Sequence, residues 1–113
     1  MALIDMIARI WHGYTALENA DRYQALLLET IFPGIEARSI TGYRGIRLDR
    51  RNVPEGVEFV TTMLFSSLDA VREFAGPDHT TSVVPAAAQA LLSRYDSSAV
   101  HYEIVYLSPG IAP

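Results

Sequence analysis

At 113 residues, half of them hydrophobic, the chain is long enough for one packed core and too short for two domains of ordinary size. Its formal net charge of −4 leaves no basic footprint for nucleic acid, and its nine basic residues are all arginine, which we read as coding bias rather than a binding signal. The absence of cysteine excludes disulfides and thiol chemistry and suits a reducing compartment, so a cytoplasmic protein is expected.

The apolar N-terminus is interrupted by Asp5 and Arg9 and lacks a basic leader region, so it reads as a first strand over Asp5–Tyr14. No apolar run approaches the ~18 residues of a membrane span. In that strand Met6, Ala8 and Ile10 alternate with Ile7, Arg9 and Trp11. Apolar residues on both faces mark a central strand. Thr15-Ala-Leu-Glu18 has the spacing of a capping box and opens a helix, unless Asn19 or Asp21 opens it a turn later. Leu17, Tyr23, Leu27 and Ile31 recur at helical spacing, Leu26 and Leu28 broaden the stripe, and Pro33-Gly34 is the expected stop.

Gly42–Arg51 reads as a strand whose arginines suit an exposed edge. The turn Asn52–Gly56 joins it in a hairpin to a second buried strand, Val57–Phe65. Ser66 or Ser67 caps a short helix that runs through Phe74 and ends at Gly76-Pro77. Asp78–Ser82 is expected to be irregular, and Pro85 sits at the first turn of a last helix that reaches about Arg94. Ala99–Leu107 alternates as a fourth strand, and residues 108–113 form a tail behind a single domain over 1–107.

These elements make two strand–helix–strand units. The order βαββαβ predicts an α+β fold with one antiparallel sheet and its helices on one face. Right-handed crossovers, a hairpin of strands two and three, and central first and third strands lead to the sheet order 4-1-3-2, a ferredoxin-like arrangement. The other face is too apolar to stay bare, so a homodimer through the sheet face is expected.

The chemistry is less legible. His12, His79 and His101 are the three histidines, and none has zinc-ligand spacing, so no metal and no cofactor is expected. His101 shares a strand face with Glu103; a carboxylate near an imidazole can tune it as a base, but an outward-facing pair at a sheet edge is the preferred reading. His79 lies in a loop after a helix terminator, where pockets often open. Arg9 and Trp11 share one face of a central strand, either as a pocket wall with a cationic anchor or as dimer packing. There is no glycine-rich phosphate loop and no GxSxG elbow. The short helix followed by a loop leaves the fewest packed side chains, so a ligand is expected between sheet and helices near Trp11, Phe65, Phe74 and His79.

Arg9-x-Trp11-x-Gly13 on the first strand, Ala20-Asp21-x-Tyr23 on the helix, and the stretch from Phe65 through Ser67-Leu-Asp-Ala-Val-Arg-Glu-Phe74 to Gly76 carry a resemblance. With Val83-Val84-Pro85 and His101-Tyr102-Glu103, this pattern resembles the antibiotic biosynthesis monooxygenase-like family. The resemblance implies a dimeric α+β barrel with a small pocket between each sheet and its own helices. It also implies relatives that are cofactor-free oxygenases of polycyclic phenols, alongside haem-degrading enzymes. Thr61 and Phe65 stand where such oxygenases often carry Asn and Trp, so no catalytic residue is carried over, and the haem-degrading set is incomplete. Two functions follow. One is a cofactor-independent monooxygenase in which the substrate's own carbanion meets O₂, with His101 or His79 as base, Arg9 holding an oxyanion, and Trp11, Tyr23, Phe65 and Phe74 as walls. The other is a non-catalytic dimeric barrel that binds a small apolar molecule or acts as a structural module.

Overall fold

A computed structural model describes residues 6–111. The expected strand start at Asp5 and the last two residues of the tail lie outside this range. The order of elements is β1 (Ile7–Thr15), α1 (Ala20–Leu26), α2 (Phe32–Ala37), β2 (Tyr43–Val53), β3 (Gly56–Phe65), α3 (Leu68–Ala75), α4 (Ala86–Gln89), β4 (Leu92–Tyr95) and β5 (Val100–Glu103). The strands form one antiparallel sheet in the order β2-β3-β1-β4, and β5 pairs with β1 beside β4. This is the ferredoxin-like order inferred from the sequence, with the last position shared by two short strands.

In the β1–β3 ladder Ile7 faces Phe65, Trp11 faces Thr61 and Thr15 faces Val57, so odd positions of both strands share one face. That face carries the core. Val57 and Phe59 pack on Ala20, Tyr23 and Leu27, while Met63 and Phe65 pack on Ala70, Val71 and Phe74 of α3. Ser67 caps α3 by accepting from the Ala70 amide at 3.1 Å, and Gly76 ends it at φ 101°.

Three local expectations are corrected. Thr15 does not open the first helix: it is the last residue of β1, and the later of the starts that the sequence allows holds, with α1 beginning at Ala20 behind Asn19 at the N-cap position, after a 3-10 turn over Leu17–Asn19. Pairing with Val57 outweighs the local capping signal. Pro33-Gly34 does not stop that helix either. The chain widens into a π turn over Leu27–Ile31, and Pro33 then sits in the first turn of α2. A proline cannot donate to the preceding turn and its ring crowds the carbonyl four residues back, and a wider turn relieves both. The last helix stops at Gln89 rather than Arg94, and Leu92–Tyr95 becomes β4. A short alanine helix is marginal alone, and pairing of Leu92, Arg94 and Tyr95 with Thr15, Tyr14 and Gly13 wins. The fourth strand itself is shorter than expected, Val100–Glu103, although the Ile104 amide still donates to the Met6 carbonyl at 2.9 Å. Among the described residues no helix is long and apolar enough to cross a membrane.

Candidate functional site

A cavity of about 60 Å³ opens between the odd face of the sheet and the helices. Its floor is Arg9, Trp11, Thr61 and Met63, and its roof is Tyr23, Leu27, Ile31, Phe32 and Ile35. Phe74, Val83, Val84, Pro85 and Ala88 close the sides. Tyr23, Leu27, Ile31 and Ile35 follow one another every four positions, with Phe32 beside Ile31, because the π turn carries the helix past Pro33, which brings Ile35 to the site.

Arg9 is the charged member of this lining, and only 3% of its surface is exposed. Its Nη1 donates to the His79 carbonyl at 2.5 Å and its Nη2 to the Thr81 carbonyl at 2.6 Å. Nη1 also lies 3.1 Å from Nε2 of His101, its cross-strand partner. The guanidinium stacks 5.4 Å from the Phe74 ring. All of these partners are neutral groups or a histidine, and no carboxylate pairs with Arg9 among the described residues. Burial alone lowers its pKa.

That geometry decides the state of His101. A guanidinium only donates, so Nε2 accepts and the ring proton sits on Nδ1. Burial first, then the nearby Arg9 charge and then His79, push the His101 pKa down to about 4. Glu103 is exposed and is not a hydrogen-bond partner of His101, as the outward-facing reading of the pair has it, whereas His101 itself is half-buried against Arg9. The His79 ring meets His101 edge-on at 5.0 Å, and neither ring lines the cavity.

Trp11 is held by two bonds from its indole N–H, to Ser82 Oγ at 3.1 Å and the Asp96 carbonyl at 2.9 Å. Tyr23 is buried edge-on against Phe59 at 4.9 Å, and burial raises its hydroxyl pKa well above the usual range. Phe74 lines the cavity, whereas Phe65 is fully buried in the core, 6.0 Å from both Tyr43 and Phe74. The structure therefore gathers Arg9, Trp11, Tyr23 and Phe74 around the cavity, sets His79 and His101 behind Arg9, and leaves Phe65 in the packing below.

A second polar cluster lies on the opposite sheet face and went unread in the sequence. Glu58 of β3 is 4% exposed and accepts from His12 Nδ1 at 2.7 Å, Arg51 Nε at 2.5 Å and the Tyr14 hydroxyl at 3.2 Å. The His12 and Arg51 hydrogen bonds hold its pKa at about 2 against burial, which acts the other way. Only the alternation of β1 and β3 signals it, since even positions there mix His12, Tyr14 and Glu58 with aliphatic residues.

No family model matches the sequence, and no curated protein sequence matches it. Solved structures do. A protein from Caulobacter crescentus assigned to the antibiotic biosynthesis monooxygenases superposes with a TM-score of 0.62 at 18% identity, over 94% of this chain and 93% of that one. SnoaB, a cofactor-independent oxygenase from Streptomyces nogalater, gives 0.61 at 18% identity, over 93% and 98%. The fold is that of the antibiotic biosynthesis monooxygenases. The ActVA-Orf6 monooxygenase of Streptomyces coelicolor, solved with nanaomycin D, gives 0.55 at 15% identity over 93% and 91%. Within this fold, the residues that carry the resemblance include Arg9 and Trp11 of β1, Tyr23 of α1, Phe74 of α3 and Val83-Val84-Pro85, which line the cavity, and His101-Tyr102-Glu103 of β5, which do not.

Proposed function

We propose that the chain is a cofactor-independent monooxygenase-type enzyme acting on a planar phenol or other enolisable aromatic molecule bound over β1 and β3. One observation carries this: Arg9 is a buried cation on an otherwise apolar cavity wall, with no acidic partner among the described residues. A buried charge is costly unless paired, and an anionic substrate oxygen is the partner that would complete it. In such a reaction one oxygen atom of O₂ enters the substrate and the other leaves as water, with the electrons supplied by the substrate. Arg9 stabilises the oxyanion, while Trp11, Tyr23 and Phe74 orient the rings and exclude water. The fold shared with SnoaB and the ActVA-Orf6 monooxygenase supports the choice of chemistry.

A titration with planar polycyclic phenols, followed by Trp11 fluorescence and by oxygen uptake, tests it. Arg9→Gln should weaken phenolate binding by about tenfold or more, while a neutral aromatic hydrocarbon, which gains nothing from the charge, should bind the variant at least as well as wild type. Equal phenolate affinity in the two proteins would sink the proposal. The second reading, a binding module without chemistry, is favoured by one fact. The His101 lone pair is engaged by Arg9 and its pKa lies at about 4, so it is a poor base at neutral pH. Tight binding without oxygen uptake decides for that reading.

The proposed assembly is a two-fold homodimer through the even face of the sheet, making an α+β barrel. Val100, Tyr102, Val105 and Tyr106 are 51%, 57%, 90% and 76% exposed, beside half-buried Ile10, Val60 and Leu64. Sedimentation at micromolar concentration is expected to give a dimer, and Tyr102→Asp to shift it toward monomer. A folded wild-type monomer there would contradict this. Lack of cysteine suits a reducing compartment, and the cytoplasm is the location we propose.

A further inference from the structure

The cavity of about 60 Å³ is small for any aromatic ligand. An engineered apolar cavity that admits benzene measures roughly 150 Å³. Space must come from a wall, and the walls differ in how they are held. The floor and roof belong to packed elements, with Met63, Tyr23 and Leu27 at 4%, 1% and 5% exposure. Residues 78–85 are different. They lie between Gly76-Pro77 and α4 and contain no helix; their backbone is tied by a single bridge, Thr81 with Ser98 of the β4–β5 connection, plus the Ala99 amide on the Thr80 carbonyl, and Ser82 Oγ accepts from the Trp11 indole and donates to the Asp96 carbonyl. Gly76 sits at positive φ with open space around it, a point where the chain can turn. Val83, Val84 and Pro85 at the end of this segment line the cavity. Two of its carbonyls, on His79 and Thr81, are held by Arg9. The charged group that anchors this wall is therefore the same cation that faces the ligand space.

We propose that residues 78–85 form a lid over the cavity, that Arg9 latches it shut, and that an anionic ligand opens it by drawing the guanidinium from the His79 and Thr81 carbonyls. The trigger rests on Arg9 as the ligand's anion anchor; the latch does not. An anion outcompetes a neutral carbonyl for the same N–H donors, because a charge-assisted bond between two ions is the stronger. A neutral ligand of the same shape lacks that advantage and leaves the latch in place. The ligand class is thus a planar aromatic bearing an anionic oxygen, and size alone is not sufficient for entry.

Hydrogen exchange of the purified chain, read on peptides spanning 78–85, tests the lid with naphthoate as the anionic probe and naphthalenemethanol as its neutral counterpart. Saturating naphthoate is expected to speed exchange in 78–85 by about tenfold and to leave β1 and β3 unchanged. It should also shift the emission of Trp11, the one tryptophan in the chain, whose indole donates to Ser82 of the lid. Naphthalenemethanol should do neither. Arg9→Met without ligand should reproduce the faster exchange, and Arg9→Lys, which keeps the charge but reaches fewer acceptors, should give a smaller increase if the first variant does not fold. Naphthoate that binds, by saturation-transfer NMR, while exchange in 78–85 stays constant or slows overturns the lid and leaves Arg9 standing as the anion anchor. If neither probe binds, the anchor and the trigger both fall. Unchanged exchange in the Arg9 variants overturns the latch whatever the probes do.

Discussion

Replacing Gly56 with alanine should destabilise the fold by at least about 3 kcal/mol. Gly56 opens β3 at φ 140°, a conformation that side chains other than glycine's hydrogen rarely tolerate. An added Cβ would lie 2.1 Å from the Thr15 carbonyl oxygen and 3.0 Å from the Cα and carbonyl carbon of Ala16. These are backbone atoms, so no rotamer change relieves the clash. Thr15 is locked by its pairing with Val57, and Gly56 itself is pinned opposite Val53 across the Pro54-Glu55 turn. The substitution must therefore break the end of the central ladder or shift the hairpin. Gly34→Ala is the control. That glycine lies inside α2 with nothing within 4 Å of its Cβ position, so the change should be neutral or stabilise by roughly 0.5–1 kcal/mol. Urea unfolding of the two variants beside wild type measures both. A Gly56→Ala protein within 1 kcal/mol of wild type would remove the steric account.

Glu58→Gln should cost about 2–3 kcal/mol at neutral pH, and that cost should fade in acid. The carboxylate accepts from His12, Arg51 and Tyr14, and a glutamine turns one acceptor into a donor facing donors. The figure stays at the low end because the Arg51 side chain is 74% exposed and His12 36%, so water screens the pairs. The pH dependence follows from the folded pKa of about 2 against an ordinary 4.5. Between those values the unfolded chain binds the proton and the folded chain does not. The contribution is thus complete above about 4.5 and is lost as the pH falls toward about 2. Wild type should lose stability across that window more steeply than Glu58→Gln. Parallel stability curves for the two proteins would show that the cluster does not titrate as described.

The strand order, the hairpin and the core face were readable because they rest on alternation and turn chemistry. Val57–Phe65 alternates cleanly, and Pro54 to Gly56 marks the turn. The misread elements are those where a tertiary partner overrides a local signal. Thr15 has the sequence context of a helix cap but the backbone of a strand, because Val57 waits opposite it. Pro33-Gly34 has the local look of a terminator, yet the π turn absorbs it, and Ile35 consequently joins the cavity roof. Site residues divide along the same line. Arg9 and Trp11 were visible because they share a face of a central strand. The Arg9 latch was not, since it depends on main-chain carbonyls 70 and 72 positions away, which no side-chain pattern encodes. Phe65 was named as a wall from its place at the strand end, and its full burial comes from α3 folding back over it.

The interruption between β4 and β5 has a bearing on solubility. The outer margin of the sheet offers a stray chain two runs of four residues, separated where Asp96 turns inward to bond His12 through both its amide and its carboxylate. Segments of six or seven residues are about the minimum for a stable cross-β stack, so neither run can template one. The opposite margin, β2, is continuous over 11 residues and is defended differently, by Arg44, Arg47, Arg50 and Arg51 along its length. The molecule thus resists edge-to-edge polymerisation by a gap on one side and by charge on the other, and filling the gap would remove the protection that charge does not supply there.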